Sequence, residues 1–191
     1  NEINAQNRMS DEQLIEQILS GNKETFRLLV EKYQQQVFRI AMGYVHSKED
    51  AEDIVQEVFI QVYRSLNSFQ GKSEFSTWLY RITMNTSLNS LNKRHKLFSG
   101  FAENLKNIFN RSDDEKTAQQ QMVESEMEQA IKKAIDQLSD KQRMAFVLSR
   151  YEDLSQRKVA EIMETTEGAV EQLLQRAKKN LQNKLNKLVG N

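Results

Sequence analysis

Two stretches of this 191-residue chain carry side chains equipped for chemistry, and in both the chemistry is recognition. The first runs from Asp50 to Asn92, DAEDIVQEVFIQVYRSLNSFQGKSEFSTWLYRITMNTSLNSLN. Its opening turns crowd together Glu49, Asp50, Glu52, Asp53 and Glu57, with Gln56 and Gln61 close by. Beyond a polar loop come Phe75, Trp78 and Tyr80, interleaved with Arg81, Asn85, Asn89, Lys93 and Arg94. Rings, cations and amides together are the materials that grip single-stranded nucleic acid. Aromatics at helical spacing are more often core residues, so composition alone leaves both readings open.

The second stretch is Leu154 to Lys184, LSQRKVAEIMETTEGAVEQLLQRAKKNLQNK. It reads as a helix-turn-helix. A short helix buries Val159, Ala160, Ile162 and Met163, and the chain breaks at Glu164–Thr166. A longer helix then buries Val170, Leu173, Leu174, Ala177 and Leu181 and turns Glu167, Gly168, Glu171, Gln172, Gln175, Arg176 and Lys179 outward. Such a unit can lay the N-terminal half of its second helix in a major groove. The motif alone is weak, because many helical hairpins never touch DNA. From Gln172 onward every charge is positive, which fits a phosphate-binding face or a solvated one.

No constellation supports catalysis. His46 and His95 stand far apart without companions at metal or triad spacing, and each is expected at the surface. The acidic run 49–57 lacks the glycine-centred loop of a calcium site, and no glycine loop cradles phosphate. There is no cysteine, which excludes disulfides and thiolate metal sites and fits a reducing cytoplasm. No cofactor, metal, small-molecule substrate or membrane insertion is expected.

The elements that must position these residues are helices. Zero proline and six glycines leave little turn chemistry for a sheet, so the fold class is all-α. Ser10 with Gln13 forms a capping-box pattern before Leu14, Ile15, Ile18 and Leu19, and Gly21 stops that helix. Asn22 is expected to cap the next, whose stripe runs from Phe26 through Leu29, Tyr33, Val37, Ile40 and Tyr44. Ser47 caps a third helix with Ile54, Val58 and Val62 inward, and Gly71 frees the backbone of the following loop. Phe75, Trp78, Leu79 and Ile82 restart the pattern, and on it Trp78 reads as core. Residues 1–9 lack periodicity and are expected to be disordered or foreign to the native chain; residues 10–96 then read as a compact bundle. Residues 97–121 read as a linker, though Phe98, Phe101, Leu105, Ile108 and Phe109 favour a short packed helix over a free tether. Residues 122–191 form a second unit, with Met127, Ile131, Ala134, Ile135 and Leu138 inward and Ser139 or Asp140, Ser155, and Thr165 or Thr166 as caps. Lys and Arg number 3 against 7 acidic residues in 97–128, and 12 against 8 in 129–191.

The order of residues is more specific than their types. DAEDIVQEVFIQVYRSLNSF followed by FSTWLYRITMNTSLN resembles the most preserved portion of bacterial sigma factors of the extracytoplasmic-function class. LSDKQRMAFVLSRYEDLSQRKVAEIMETTEGAVEQLLQRAKKNL resembles their carboxy-terminal domain, which reads the promoter −35 element. The resemblance implies two small helical domains, a region 2 bundle and a region 4 helix-turn-helix, joined by a linker. It implies an initiation factor, not an enzyme, that binds core RNA polymerase, directs it to −35 and −10 elements and stabilises melting. Asp50, Glu52, Asp53, Gln56, Glu57 and Gln61 would then face the polymerase clamp. Phe69, Gln70, Gly71, Lys72, Ser73, Arg81, Asn85, Lys93 and Arg94 would meet the single-stranded −10 strand. Glu167, Gly168, Glu171, Gln172, Gln175, Arg176 and Lys179 would face the duplex −35 element. Glu171, Gln172 and Leu173 depart from the basic and small hydroxyl residues usual there, so no −35 sequence transfers from relatives. An anti-sigma factor is an implied partner, and the cytoplasm the implied location. A stand-alone helix-turn-helix regulator of duplex operators is the alternative.

Overall fold

The computed structural model describes residues 9–108 and 126–189, with side chains placed over 9–94 and 128–187. Helix α1 is Asp11–Leu19, α2 is Glu24–Val45 and α3 is Lys48–Ser65; a 3-10 turn at Leu66–Ser68 leads through a loop to α4, Phe75–Ile108. The second unit comprises α5 (Glu126–Asp136), α6 (Asp140–Tyr151), α7 (Gln156–Ile162) and α8 (Glu167–Val189). There is no strand among the described residues.

Local chemistry sets most helix starts. The Ser10 side chain accepts from the Gln13 backbone at 3.3 Å while the Gln13 side chain accepts from the Ser10 backbone at 2.9 Å, so two orphan donors of α1 are satisfied reciprocally. Ser139 and Gln142 repeat the device at α6. Ser47, Ser155 and Thr166 each accept one backbone N–H of α3, α7 and α8. The expected Asn22 cap is not made. Lys23 occupies the cap with helical dihedrals, and the Asn22 backbone carbonyl takes the Thr25 N–H instead. Gly21 (φ 104) ends α1 as expected, while α2 ends on His46 in the left-handed region (φ 54).

The first core gathers Leu14, Ile18, Leu29, Tyr33, Val37, Ile54, Val58, Val62, Leu66, Phe75 and Leu79 from α1 to α4. A second core crosses between the units. It joins Ile40, Tyr44, Tyr80 and Met84 of α2 and α4 to Ala145, Val147, Leu148, Val159, Ala160 and Ile162 of α6 and α7. Gly43 permits this approach, since a Cβ there would lie 2.9 Å from a Val147 methyl.

Two further expectations need revision, those for Ile131 and His46. Ile131, expected inward, is 40 % exposed, while Ala134 and Ile135 of the same helix, and Leu138 just beyond it, are buried. Helix α4 continues past Lys96 to Ile108, so the helix favoured for the apolar part of 97–121 is present over 97–108 as an extension of α4. His46 is not a free surface residue, because its ring packs at the junction of the units. The remaining linker residues 109–121, Phe109 among them, and residues 1–8, 122–125 and 190–191 lie outside the described residues. So do the side chains of His95, Phe98, Phe101, Leu105, Ile108 and Met127.

Candidate nucleic-acid and partner interface

Helix α3 turns its acids away from its core stripe. Glu52, Asp53, Gln56 and Glu57 are exposed, with Asp50 and Gln61 half-buried. Asp50 is ion-paired with Arg94. Gln61 donates to Glu57 at 3.1 Å and accepts from Thr86 at 3.3 Å, which ties it to α4. The same outward face carries two residues that the sequence reading did not single out. Ile60 is 46 % and Tyr63 44 % exposed, and with Phe26, Phe59, Gln56 and Arg64 they line a shallow apolar depression. Tyr63 is held edge-on to Phe26 at 5.0 Å. Their signal was present: Ile60 and Tyr63 are apolar yet lie off the Ile54–Val58–Val62 stripe.

The loop before α4 is open. Gln70, Gly71 and Lys72 are exposed, Phe69 and Ser73 are half-buried, and Gly71 has φ 66. Phe69 leans on Phe75 (5.8 Å) and Trp78 (5.3 Å), so the loop's anchor is a ring cluster, with Trp78 only half-buried. Asn85 and Lys93 are exposed on α4. Arg81 is otherwise engaged. Its guanidinium donates to the Ile162 carbonyl (3.0 Å) and the Glu161 carbonyl (2.8 Å), and pairs with Glu164 (3.1 Å).

On α8, Val170 and Ala177 are buried, with Leu173 and Leu174 half-buried beside them. Glu167, Gly168, Glu171, Gln172, Gln175, Arg176 and Lys179 are all exposed. Gly168, Gln172, Gln175 and Lys179 sit opposite the buried stripe, at steps of four, three and four residues. The Gln175 amide donates to Glu171 at 3.3 Å. A carboxylate only accepts, so this contact fixes which way the amide points and leaves its carbonyl oxygen and second N–H facing outward.

The contact between the units is unusually polar. Arg143, 2 % exposed, donates to the carbonyls of Gly43 (3.3 Å) and Tyr44 (2.7 Å) and to Asp136 (2.7 Å). It thus supplies donors to carbonyls that the last turn of α2 cannot satisfy itself. Asp136 also meets His46 Nε2 at 2.9 Å. Burial alone would raise the Asp136 carboxyl, but His46 and Arg143 beside it hold it below its ordinary value. Arg39 grips Glu152 through two bonds (2.8 and 3.0 Å), and the Tyr80 hydroxyl also donates to Glu152 (3.3 Å). Burial, and then the Glu152 charge, push the Tyr80 phenol up to about 12. Lys158 pairs with Glu74 at 2.6 Å, and this hydrogen bond lowers the Glu74 carboxyl. The buried Tyr44 hydroxyl has no hydrogen-bond partner among the described residues.

Comparison with known proteins places this geometry. The description Sigma-70 region 2 matches residues 29–97, and Sigma-70, region 4 matches residues 128–181. The ECF RNA polymerase sigma-E factor of Haemophilus influenzae is 36 % identical over 188 residues, covering 95 % of this chain and 98 % of that one. The RNA polymerase sigma-H factor of Pseudomonas aeruginosa is 34 % identical over 185 residues, covering 94 % and 95 %. Among solved structures, CnrH in complex with the cytosolic domain of CnrY shares the fold (TM-score 0.64, 22 % identity, 91 % and 96 % coverage). The sigma factor RpoE of Bartonella quintana, solved with the anti-sigma factor NepR, aligns at TM-score 0.58 and 25 % identity, over 84 % and 96 %.

Proposed function

The chain belongs to the extracytoplasmic-function class of sigma-70 factors, and on that premise we propose that it recruits core RNA polymerase to promoters and stabilises strand opening. The observation that carries the reading is the pairing of two separate exposed faces, on α3 and on α8, within the two family units. On α3, Gln56 and Arg64 border the apolar depression at Ile60 and Tyr63, and the exposed Glu52, Asp53 and Glu57 lie on the same helix. A charged rim about an aromatic anchor suits a protein partner, here the polymerase clamp. Asp50 and Gln61 join the same face with part of their bonding already used.

The −10 surface is the loop Phe69, Gln70, Gly71, Lys72 and Ser73 with Asn85, Lys93, Arg94 and, once released, Arg81. An unpaired base entering there offsets an unstacking cost of about a few kcal/mol. The −35 surface centres on Gln172 and Gln175. Each amide presents the acceptor and donor that pair with adenine N6 and N7, and residues three apart on a groove helix reach successive bases. Glu171 orients Gln175, Gly168 leaves room for close approach, and Arg176 and Lys179 meet phosphates beside Glu167.

An anti-sigma factor is a partner of the Bartonella neighbour, and we extend that class of partner to this chain. No helix among the described residues is long and apolar enough to cross a membrane. Action in the cytoplasm follows from where the polymerase works. The units occupy the 10–96 and 122–191 parts of the chain. A gel shift with promoter DNA, with and without core polymerase, tests the reading. A specific complex that forms only with polymerase supports it. Tight operator binding by the chain alone would move the assignment to a stand-alone regulator.

A further inference from the structure

We infer that Glu171 is a specificity-determining residue of the −35 face, whose free carboxylate oxygen selects cytosine at the position next to the adenine read by Gln175. The inference rests on the reading of α8 as the −35 helix and adds to it a base contact of Glu171's own. Gln175 Nε2 donates to Glu171 Oε1 at 3.3 Å, so the two side-chain tips meet and the bases they touch are neighbours. A carboxylate has room for several donors, and among the described residues no hydrogen bond or ion pair engages Glu171 Oε2.

Glu171 is exposed within the first two turns of α8, the part of a recognition helix that enters the major groove. Glu167, also exposed, stands one turn before it. Like charges four residues apart disfavour a helix, and no cation pairs with either carboxylate among the described residues. The repulsion therefore persists in the free chain. Between phosphates it grows, because a carboxylate there is both repelled and stripped of water. Only a donor on the DNA side offsets that cost.

The major groove offers such a donor from two bases. Guanine presents O6 and N7, and thymine presents O4, all of them acceptors that repel a carboxylate. Adenine presents its N6 amine beside the N7 acceptor, and the amides of Gln172 and Gln175 are the better partners for that pair of groups. Cytosine presents its N4 amine with no acceptor beside it, so it is the base that a lone carboxylate oxygen can take. The same contact holds Glu171 in place and thereby fixes the Gln175 amide. Adenine and cytosine are read as a coupled pair.

Selection from randomised −35 duplexes tests this, with the full chain alone and with its complex with core polymerase. The parent should favour cytosine over guanine about tenfold at one position beside the selected adenine. Glu171→Gln keeps an oxygen for the Gln175 amide, so the adenine preference should stay while the cytosine preference falls several-fold. Glu171→Arg should move the preference at that position from cytosine to guanine, whose O6 and N7 accept from a guanidinium. A residue that only positioned Gln175 would leave the neighbouring position indifferent in all three proteins. No cytosine preference in the parent, its survival unchanged in Glu171→Gln, or a Glu171→Arg preference that stays on cytosine overturns the inference. If core polymerase neither binds the chain nor directs selection, while the chain alone still selects cytosine beside adenine, the assigned function falls and the role of Glu171 stands. If neither arm selects any sequence, both fall.

Discussion

The Arg143 guanidinium donates to the Tyr44 carbonyl at 2.7 Å, so a side chain from the second unit completes the last turn of a helix in the first. Ninety-nine residues separate the two in sequence, and nothing local to either announces the bond.

Replacing Arg143 with Ala should therefore separate the units before it melts either. Loss of a buried cation from paired acceptors costs about 3 kcal/mol, less here because Asp136 keeps partial access to water. Chemical denaturation followed by Trp78 fluorescence, which reports the first unit, and by a probe on α8 should change from one transition to two. A single transition with an unchanged midpoint would contradict this role.

Acid should open the contact. The Asp136 and Glu74 carboxyls are both held below their ordinary values, the first by His46 across the contact together with Arg143 of its own unit, the second by Lys158 across it. Lowered values mean that their contribution is fully present above the usual carboxylate range, about pH 4, and is lost as pH falls through the lowered values. Energy transfer between dyes on α3 and α8 should drop in that window while far-ultraviolet circular dichroism still reports helix. Constant transfer down to the loss of helix would refute the coupling.

Much of the architecture was legible because it is set locally. Ser10, Ser47, Ser139 and Ser155 cap the helices that their spacing foretold, and the family could be read because two long runs preserve order. Long-range features were not legible. Gly43 looked like any helical glycine until Val147 lay against it. His46 looked solitary because Asp136 is 90 residues away. Ile131 was placed inward by periodicity alone, which says which residues share a face but not how much of that face a neighbour covers. Ile60 and Tyr63 fall off the Ile54–Val58–Val62 stripe, so the search for a core face passed them by.

The −35 face should divide its work between bases and backbone. Gln175→Ala should cost about 1–3 kcal/mol at one base position and relax its preference for adenine. Glu171→Ala should relax the same position more weakly, since it acts through the Gln175 amide. Arg176→Ala should weaken all sequences alike and shallow the slope of log K against log salt by roughly 0.9. Binding of randomised duplexes by the holoenzyme at several salt concentrations separates these outcomes. A uniform loss in Gln175→Ala would assign it to the backbone instead.

Placing charge in the apolar depression should uncouple polymerase from DNA. Tyr63→Glu, at a site already 44 % exposed, should leave the fold intact yet weaken core polymerase binding by about 2 kcal/mol or more, as an anchor residue does. Surface plasmon resonance with immobilised core polymerase reads this directly, and parental affinity in the variant would remove Tyr63 from the interface.

The most direct test is base unpairing at the −10 element, followed by 2-aminopurine fluorescence during reconstituted initiation. With core polymerase and this chain, fluorescence should rise, and it should rise several-fold less when Asn85 and Lys93 are both replaced by Ala. Holoenzyme that opens the promoter equally well without those side chains would contradict the assignment of this surface to the melted strand. Core polymerase that never opens a promoter with the parent chain would contradict the account as a whole.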